Sequence, residues 1–259
     1  MSNDGKKLAI GFVIHRPEKS FFNRIEQINQ NGLPLFVYDN SPEIAASKEQ
    51  IEPLINATYL TSGKNQGLGV GLARLCQSAY QHDYDALLFF DQDTSFNLQT
   101  ISFIQNYFYR HSHLAQTYSA IVFSGGKSSV LEDVNVAINS GSLFVLKNVE
   151  KIGWHNESYF VDGVDYEFCF RSCLTGFKIA KYSGAPYFDH ESEQPDRVIS
   201  IFGKRLLIRK YSKGRIKDSV HSYLRLLYTA LRLGDFKFFF IFLRSFVIYL
   251  FGQLLARLS

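Results

Sequence analysis

Two acidic residues follow a short apolar run near the middle of the chain. Residues 86–90 are all apolar, and Asp91, Gln92, Asp93 and Thr94 come directly after them. The run is too short for a helix and ends at once in polar residues, which predicts a buried strand. Two carboxylates so close repel each other unless a cation lies between them, and a hard divalent cation commonly binds phosphate too. We therefore expect a metal–diphosphate site at the carboxyl end of a strand, where open α/β sheets bind ligands.

A second acidic cluster lies further along the chain and contains Asp162, Asp165 and Glu167. A short helix is expected over 166–174, which places Asp165 near its N-terminus, where the helix dipole favours an ionised carboxylate. An ionised carboxylate at the mouth of a site is what a general base requires. The alternative is that Asp165 only caps the helix. Glu167 and Arg171 are four residues apart and are expected to pair on the helix surface.

Three further features could belong to the same site. The glycine-rich segment 63–71 could cradle a phosphate or could be only a tight strand-to-helix connection, since it lacks the ending of a P-loop. His190 follows a predicted strand, and a role as metal ligand and a structural role are equally open. Trp154 and His155 are expected in a loop wall near the site, with packing as their main role.

The apolar pattern predicts the elements that position these residues. Strands are expected at 8–15, 35–38, 58–61 and 86–91, with helices beginning near Pro17 and over 68–79. This βαβα alternation predicts a parallel sheet with right-handed crossovers. Beyond it the pattern changes, with a helix expected over 101–108, a strand over 120–123, a loop entering a strand over 139–146 and a last strand over 177–180.

Composition limits the class of protein. With 259 residues, of which 46% are hydrophobic and 15% aromatic, the chain is not disordered and can form one large domain with an appendage. Its three cysteines are interpreted as reduced core thiols in a reducing compartment. The polar N-terminus has no signal-peptide core, so we expect a cytoplasmic protein.

The charge is distributed unevenly along the chain. Residues 197–259 contain 13 Lys and Arg and two acids, whereas residues 1–196 contain 15 basic and 22 acidic residues. We therefore expect a catalytic domain over 1–196 and a helical membrane-association region over 197–259. Its uncharged stretches are expected to be too short to span a bilayer. Packing on the body or a dimer contact is the alternative. The residues expected at an anionic membrane surface are Lys204, Arg205, Arg209, Lys210, Lys213 and Arg215.

The order of the motifs resembles the inverting family 2 glycosyltransferases of GT-A fold, most closely their bacterial rhamnosyltransferase-like branch. The resemblance covers roughly residues 8–192, and no single motif carries it. Its six segments are Gly11-Phe12-Val13-Ile14-His15-Arg16-Pro17, Val37-Tyr38-Asp39-Asn40-Ser41, Asn65-Gln66-Gly67-Leu68-Gly69, Phe89-Phe90-Asp91-Gln92-Asp93-Thr94, Asn139-Ser140-Gly141-Ser142 and the stretch 160–171.

The resemblance implies a role for each motif. Asp165 matches the catalytic base, and the metal, Mg²⁺ or Mn²⁺, would be bound by Asp91, Asp93 and His190. The donor would contact Asp39, Asn65, Gly67, Asp91 and Asn139.

It also implies the substrates and the location. The donor would be dTDP-rhamnose or a UDP-hexose, and the acceptor a hydroxyl of a glycan or a polyprenyl-lipid-linked glycan in bacterial cell-surface polysaccharide synthesis. The enzyme would lie peripherally on the inner face of the cell membrane. Whether it forms a homo-oligomer is left open by the sequence.

Two other classes were weighed. A haloacid dehalogenase-like phosphatase would use Asp91 as nucleophile, with Asp93, Thr94 and Ser124 in its motifs and residues 162–165 as its acidic motif. Its first motif normally lies on the first strand, however, and here three predicted strands precede it. Nucleic-acid binding is not expected, because the aromatic residues of the tail cluster in an almost uncharged block instead of alternating with basic residues.

Overall fold

The computed structural model describes residues 7–43, 45–188, 197–201 and 204–258. Its centre is an eight-stranded mixed sheet. The first four strands are parallel to one another and adjacent in the order β3-β2-β1-β4. They are β1 (Leu8–Ile14), β2 (Leu35–Asp39), β3 (Ala57–Thr61) and β4 (Ala86–Asp91). The predicted parallel βαβα unit is therefore confirmed.

The other half of the sheet continues from β4 and is mixed. Its strands are β5 (Tyr118–Phe123), β6 (Leu131–Val134), β7 (Ser142–Val145) and β8 (Lys178–Tyr182). They follow in the order β7-β5-β8-β6, where β7 pairs antiparallel with both β4 and β5, β5 pairs parallel with β8, and β6 pairs antiparallel with β8. The sheet as a whole is mainly parallel.

Helices cover both faces of the sheet and divide the core into two layers. In β4, Leu87 and Phe89 pack into one layer, whereas Leu88 and Phe90 pack into the other. Because successive strand residues point to opposite faces, a strand buried on both sides is apolar throughout, which explains the run at 86–90. The helices of the body are α1 (Lys19–Gln30), α2 (Ala45–Ile51), α3 (Leu68–Gln81), α4 (Leu98–Arg110), α5 (Leu146–Ile152) and α6 (Val164–Leu174).

Besides the short 3-10 helix Ser112–Gln116, three short elements of the body were not predicted. β6 lies at the sheet edge, and its Glu132 and Asp133 are exposed, so it has no apolar run. α2 has seven residues and ends at its buried residue Ile51. α5 begins at Leu146 directly after β7, so the apolar stretch that predicts a single strand is shared between a strand and a helix.

The C-terminal segment begins with a hairpin and continues as two helices. The hairpin strands are β9 (Arg197–Ile201) and β10 (Lys204–Ile208), and the helices are α7 (Lys213–Arg232) and α8 (Phe236–Leu258). The sequence predicts a helical region over 197–259, and this is wrong for its first part. Lys204 and Arg205 lie on a strand and not on a helix. Residues 198, 199 and 201 are β-branched, which favours extended backbone.

The inner faces of α7 and α8 belong to the core of the body. Leu226 of α7 and Phe238 and Phe242 of α8 are buried, and the ring centroids of Phe238 and Phe170 of α6 are 4.8 Å apart. By length and composition α8 could cross a bilayer, with a mean hydropathy of 1.9 over its most apolar window, of which 17% is buried. The sequence predicts uncharged stretches too short to span a bilayer. The helix nevertheless has the length and composition to do so, because its few charged residues do not offset its many phenylalanines and leucines.

Candidate functional site

A cleft of about 550 Å³ opens where the parallel strands end. It brings together residues that lie far apart in the sequence. These include two of the three predicted metal ligands, the predicted base and four of the five predicted donor contacts, since Asp91 belongs to both sets. The predicted residues on its wall are Asn65, Gly67, Asp91, Asp93, Asn139 and Asp165. The structure therefore brings these six residues to one cleft, and their roles stay predictions.

Asp91 and Asp93 are positioned by the turn that follows β4. Gln92, between them, donates to the carbonyl of His15 and accepts from its N–H at 2.8 Å, which fixes the turn to the end of β1. Ser140 accepts from the N–H of Asp91 at 3.0 Å and lies 2.6 Å from the buried Thr94 hydroxyl. These contacts hold the turn from both neighbouring strands, so the two carboxylates reach the cleft.

The two carboxylates fit the chemistry of the expected metal. Mg²⁺ in phosphate-binding sites commonly takes one or two protein carboxylates and completes its shell with water and substrate phosphates. Among the described residues no cluster of three His, Cys, Asp or Glu side chains could hold a metal ion. The third predicted ligand, His190, lies outside the described residues. Asp91 and Asp93 are thus the two members of the predicted ligand set that lie within the described residues.

Asp165 is the second residue of α6 and lines the cleft. Burial raises the pKa of its carboxyl group from the ordinary 3.8 to about 6, and the nearby Asp162 adds to the shift, while hydrogen bonds from the backbone oppose it. The helix dipole favours the ionised form, as the sequence predicts, but burial outweighs that effect. The helix N-cap is Gly163, so Asp165 is not the cap. A pKa near neutrality suits a general base.

Asp39 lies at the end of β2 and is fully buried. Its carboxylate accepts hydrogen bonds from the Ser41 N–H at 2.7 Å and from the Tyr59 hydroxyl at 2.8 Å. The adjacent Asn40, which was not singled out as a site residue, lines the cleft. Its side chain donates to the carbonyl of Gly67 and accepts from the N–H of Gln66, so it joins β2 to the glycine-rich loop.

The glycines of segment 63–71 allow close packing. A Cβ on Gly67 would lie 2.4 Å from the carbonyl oxygen of Phe160, and one on Gly69 would lie 2.4 Å from that of Tyr159. The Leu68 N–H donates to the Phe160 carbonyl at 2.5 Å. The segment is therefore a tight strand-to-helix connection against the loop before α6, and it also contributes Asn65 and Gly67 to the cleft wall.

Glu167 and Arg171 pair inside the protein and not on its surface as expected. Arg171 donates to the two carboxylate oxygens at 2.6 and 2.9 Å and also to the carbonyls of Ile152, Gly153 and Trp154. His155 is buried, stacks on Phe168 with ring centroids 4.5 Å apart, and has its pKa lowered to about 3 by burial. Trp154 and His155 have packing roles and are not among the residues of the cleft wall.

The C-terminal segment forms another wall of the cleft, which the sequence did not predict. Arg209 and Arg215, both expected at a membrane, line the cleft, and Arg215 donates to Asp162 at 3.2 Å. No local sequence pattern predicts this wall, because its residues lie directly after β10 and on two different helices. The other members are Tyr211, Ser219, Tyr223 and Tyr249.

The three cysteines, Cys76, Cys169 and Cys173, are free thiols, and burial raises the pKa of each.

The structure also bears on the phosphatase hypothesis. Ser124, which a phosphatase would need beside Asp91, is not among the residues that line the cleft. The second motif of that alternative is therefore not at the cleft, although Asp91, Asp93 and the acidic residues Asp162 and Asp165 are.

The sheet order, with a parallel β3-β2-β1-β4 half and a mixed second half, defines a mixed α/β fold of the GT-A type. Among solved structures with this similarity are S. aureus TarS 1–349 in complex with UDP-GlcNAc and GalNAc-T7 with UDP, GalNAc and Mn²⁺. For the TarS complex the TM-score is 0.53 and the identity 14%, over 75% of this chain and 62% of that chain. For GalNAc-T7 the TM-score is 0.55 and the identity 8%, over 70% and 43%.

The likeness to these structures concerns the fold alone. TarS 1–349 is also solved in complex with UDP, with 14% identity over 70% of this chain and 59% of that chain. The chain thus spans about 60% of the TarS fragment, and 36% of the longer TarS structure. No protein-family profile matches the chain, and no curated protein sequence matches it.

Proposed function

We propose that the protein is a metal-dependent, inverting glycosyltransferase that uses a nucleotide-sugar donor. One observation carries the proposal. A single cleft at the carboxyl ends of parallel strands contains the acid pair Asp91 and Asp93 together with a separate carboxyl group, Asp165, whose pKa of about 6 suits proton transfer near neutral pH.

The reaction assigns each carboxylate a task. Asp165 accepts the proton of an acceptor hydroxyl while the hydroxyl oxygen bonds to the anomeric carbon of the sugar. The bond from that carbon to the diphosphate oxygen breaks, and the nucleoside diphosphate leaves with its electron pair. Attack from the face opposite the leaving group inverts the anomeric centre. A divalent cation on Asp91 and Asp93 would neutralise the departing diphosphate.

The neighbours and the resemblance support the proposed substrates. UDP or UDP-GlcNAc is bound in the TarS structures, which supports a UDP-sugar donor, and dTDP-rhamnose is the other candidate. We propose Asn65, Gly67 and Asn139 as donor contacts on the cleft wall. Asp39 precedes Asn40 in the chain and is buried next to this wall. The acceptor proposed is a glycan or lipid-linked glycan that presents a hydroxyl to Asp165.

We further propose that the enzyme binds an anionic membrane surface through the outer faces of α7 and α8. Of the described side chains, 19 large apolar ones are exposed and 12 of these lie between Leu224 and Leu258. Both acids of the segment are engaged, since Asp218 accepts from backbone N–H groups and Asp235 caps α8. An apolar face with basic residues and few opposing acids is typical of interfacial helices.

Calorimetric titration with UDP and with dTDP, each with and without Mn²⁺, tests the donor site. We expect one nucleotide to bind in a Mn²⁺-dependent manner and Asp93→Ala to lose at least tenfold in affinity. The control is Asp133→Ala, which removes an exposed acid on β6 paired with Lys178. Absence of binding of either nucleotide to a folded sample would contradict the proposal.

The base assignment has its own test. Asp165→Asn keeps the shape of the side chain and should bind the nucleotide as the wild type does, but it should lose transfer by two or more orders of magnitude, the range typical of an essential base. Near-normal turnover in this variant would show that Asp165 is not the base.

Point substitutions test the membrane surface better than truncation, because removal of α8 would uncover Phe170 in the core. The double variant Phe240→Ser, Phe251→Ser should bind phosphatidylglycerol vesicles at least tenfold more weakly. Each aromatic side chain that moves from water into the membrane contributes about 2 kcal/mol to binding. The control is Ile55→Ser, Val130→Ser, which removes two exposed apolar side chains from the body. Unchanged vesicle binding with a changed oligomeric state would instead identify a contact between copies.

A further inference from the structure

The backbone just before Asp165 is held by a side chain of α7. Asp218 Oδ2 accepts hydrogen bonds from the N–H of Val161 at 3.2 Å and from the N–H of Asp162 at 3.1 Å. One carboxylate oxygen that accepts from two successive N–H groups fixes the direction of both peptide units. These residues come from parts of the chain 56 and 57 positions apart.

The side chain of Asp162 is held by the same helix. Arg215 Nη2 donates to Asp162 Oδ1 at 3.2 Å, and the Ser219 hydroxyl donates to Asp162 Oδ2. The Arg215 guanidinium also lies over the ring of Tyr211, 4.5 Å from its centroid. Residue 162 is thus bound to α7 through both its backbone and its carboxylate.

The next residue of the loop packs closely on α7. Gly163 has φ +83°, and a Cβ there would lie 3.1 Å from the Cβ of Ser222, which is buried. Gly163 is the N-cap of α6, and Asp165 follows two positions later. The loop 161–163 therefore sets the start of α6 and with it the place of Asp165 in the cleft.

We infer that Asp218 and Arg215 are positioning residues for the reaction, because they hold the loop 161–163 and through it the carboxylate of Asp165. This inference rests on the proposed function. A displacement of about 1 Å of a reacting group can cost on the order of 10²-fold in rate, so a loosened loop lowers turnover although neither residue takes part in proton transfer.

Asp218→Ala and Asp218→Asn test the inference together. Asp218→Ala should lower kcat for nucleoside diphosphate release at least tenfold, with the donor KM and the nucleotide affinity within twofold of wild type. Asp218→Asn should restore most of kcat, since a single amide oxygen can accept from both N–H groups. A role in overall stability alone would not separate kcat from KM in this way.

The matched control is Asp235→Ala. Asp235 is the other acid of the C-terminal segment and caps α8 through the N–H of Phe238 at 3.0 Å. Its loss should lower the stability of the protein, as for other caps, and leave kcat unchanged. Equal losses of kcat in Asp218→Ala and Asp235→Ala, or no loss in Asp218→Ala, would overturn the inference.

Hydrogen exchange of the peptide covering 160–166 gives a readout that needs no activity. Exchange in this peptide should be at least tenfold faster in Asp218→Ala than in wild type or Asp235→Ala, and unchanged exchange would overturn the inference. If exchange responds but the wild type transfers no sugar, the proposed function fails and the positioning role in the fold stands. Should Asp218→Ala misfold, Arg215→Gln must show the same acceleration.

Discussion

The hydroxyl of Tyr59 donates a hydrogen bond of 2.8 Å to the carboxylate of Asp39, from the strand beside it in the sheet. The same carboxylate accepts from the N–H of Ser41 at 2.7 Å. Asp39 is thus held in one orientation beside Asn40 of the cleft wall, and neither Asp39 nor Tyr59 itself lines the cleft. This relationship makes Tyr59 a test of whether the orientation of Asp39 matters for donor binding.

Tyr59→Phe should weaken nucleotide binding severalfold and reduce the free energy of unfolding by about 1 kcal/mol, because the carboxylate loses one of its two partners. Titration calorimetry and urea denaturation measure the two effects. The matched control is Tyr118→Phe, whose hydroxyl donates to Asp133 at 2.7 Å in an exposed setting. If both variants bind nucleotide like the wild type, Asp39 needs no such support.

The pKa of Asp165 predicts the pH dependence of transfer. Burial raises that pKa to about 6, and a general base acts only when ionised, so kcat/KM should fall about tenfold per pH unit below pH 6. Asp162 is the charged neighbour that adds to the shift. A pH–rate profile from pH 4.5 to 8.5 measures this, with nucleotide affinity followed over the same range. An acid limb near pH 4 would contradict the assignment.

The same pKa predicts a gain of stability in Asp165→Asn. The folded protein binds this proton more tightly than the unfolded chain, so ionisation of Asp165 lowers stability as the pH rises from 3.8 through about 6. The difference between a pKa of 3.8 and one of about 6 corresponds to about 3 kcal/mol of stability at most, and solvent access reduces this contribution to roughly 1–2 kcal/mol. Thermal denaturation should show Asp165→Asn more stable at pH 8 and equal to wild type at pH 3.5. A variant less stable at pH 8 would disprove this.

Arg171→Met should destabilise the protein strongly. The substitution leaves buried Glu167 without its ion-pair partner and removes the donor to three carbonyls, and breaking such a buried pair costs about 3–5 kcal/mol. Urea denaturation measures the loss. Lys48→Met provides the comparison, since Lys48 and Glu52 form an exposed pair at 3.6 Å and its loss should cost less than 1 kcal/mol. Equal effects would mean that the interior pair contributes no more than the exposed one.

Gly67→Ala should be far more harmful than Gly63→Ala. Both glycines have positive φ, +89° and +71°, so both substitutions incur roughly 1–2 kcal/mol of backbone strain. At Gly67 the added Cβ would also meet the Phe160 carbonyl at 2.4 Å, whereas nothing lies within 4 Å at Gly63. We expect only Gly67→Ala to weaken nucleotide binding, measured by calorimetry. A similar loss of nucleotide affinity in both variants would show that backbone strain alone, and not the contact with Phe160, causes the effect.

The strands and the acid pair could be predicted because local sequence determines them. Residues 86–90 are apolar on both faces of β4 and turn polar at Asp91, and this contrast is visible without any tertiary information. The same holds for the βαβα order that precedes it. The strands β9 and β10 and the edge strand β6 were missed because short, partly polar strands lack such a contrast.

The C-terminal wall could not be predicted because it depends on distant contacts. Asp218 and Val161 are 57 residues apart, and the basic residues around Arg215 have the composition of a membrane-binding segment. Only the fold reveals that Arg215 pairs with Asp162. The interior position of Glu167 and Arg171 was missed for a related reason, since α5 and the loop after it cover that face of α6.

The cleft draws on residues from Val13 to Tyr249, and this spread determines the order in which it is completed during synthesis. Asp91 and Asp165 leave the ribosome before α7 and α8, so the sheet with its acid pair can form while the helical wall is still missing. A nascent chain can therefore form the acid pair before the loop 161–163 has its partners on α7. The cleft is complete once the C-terminal helices, which carry the apolar outer face, pack on the body.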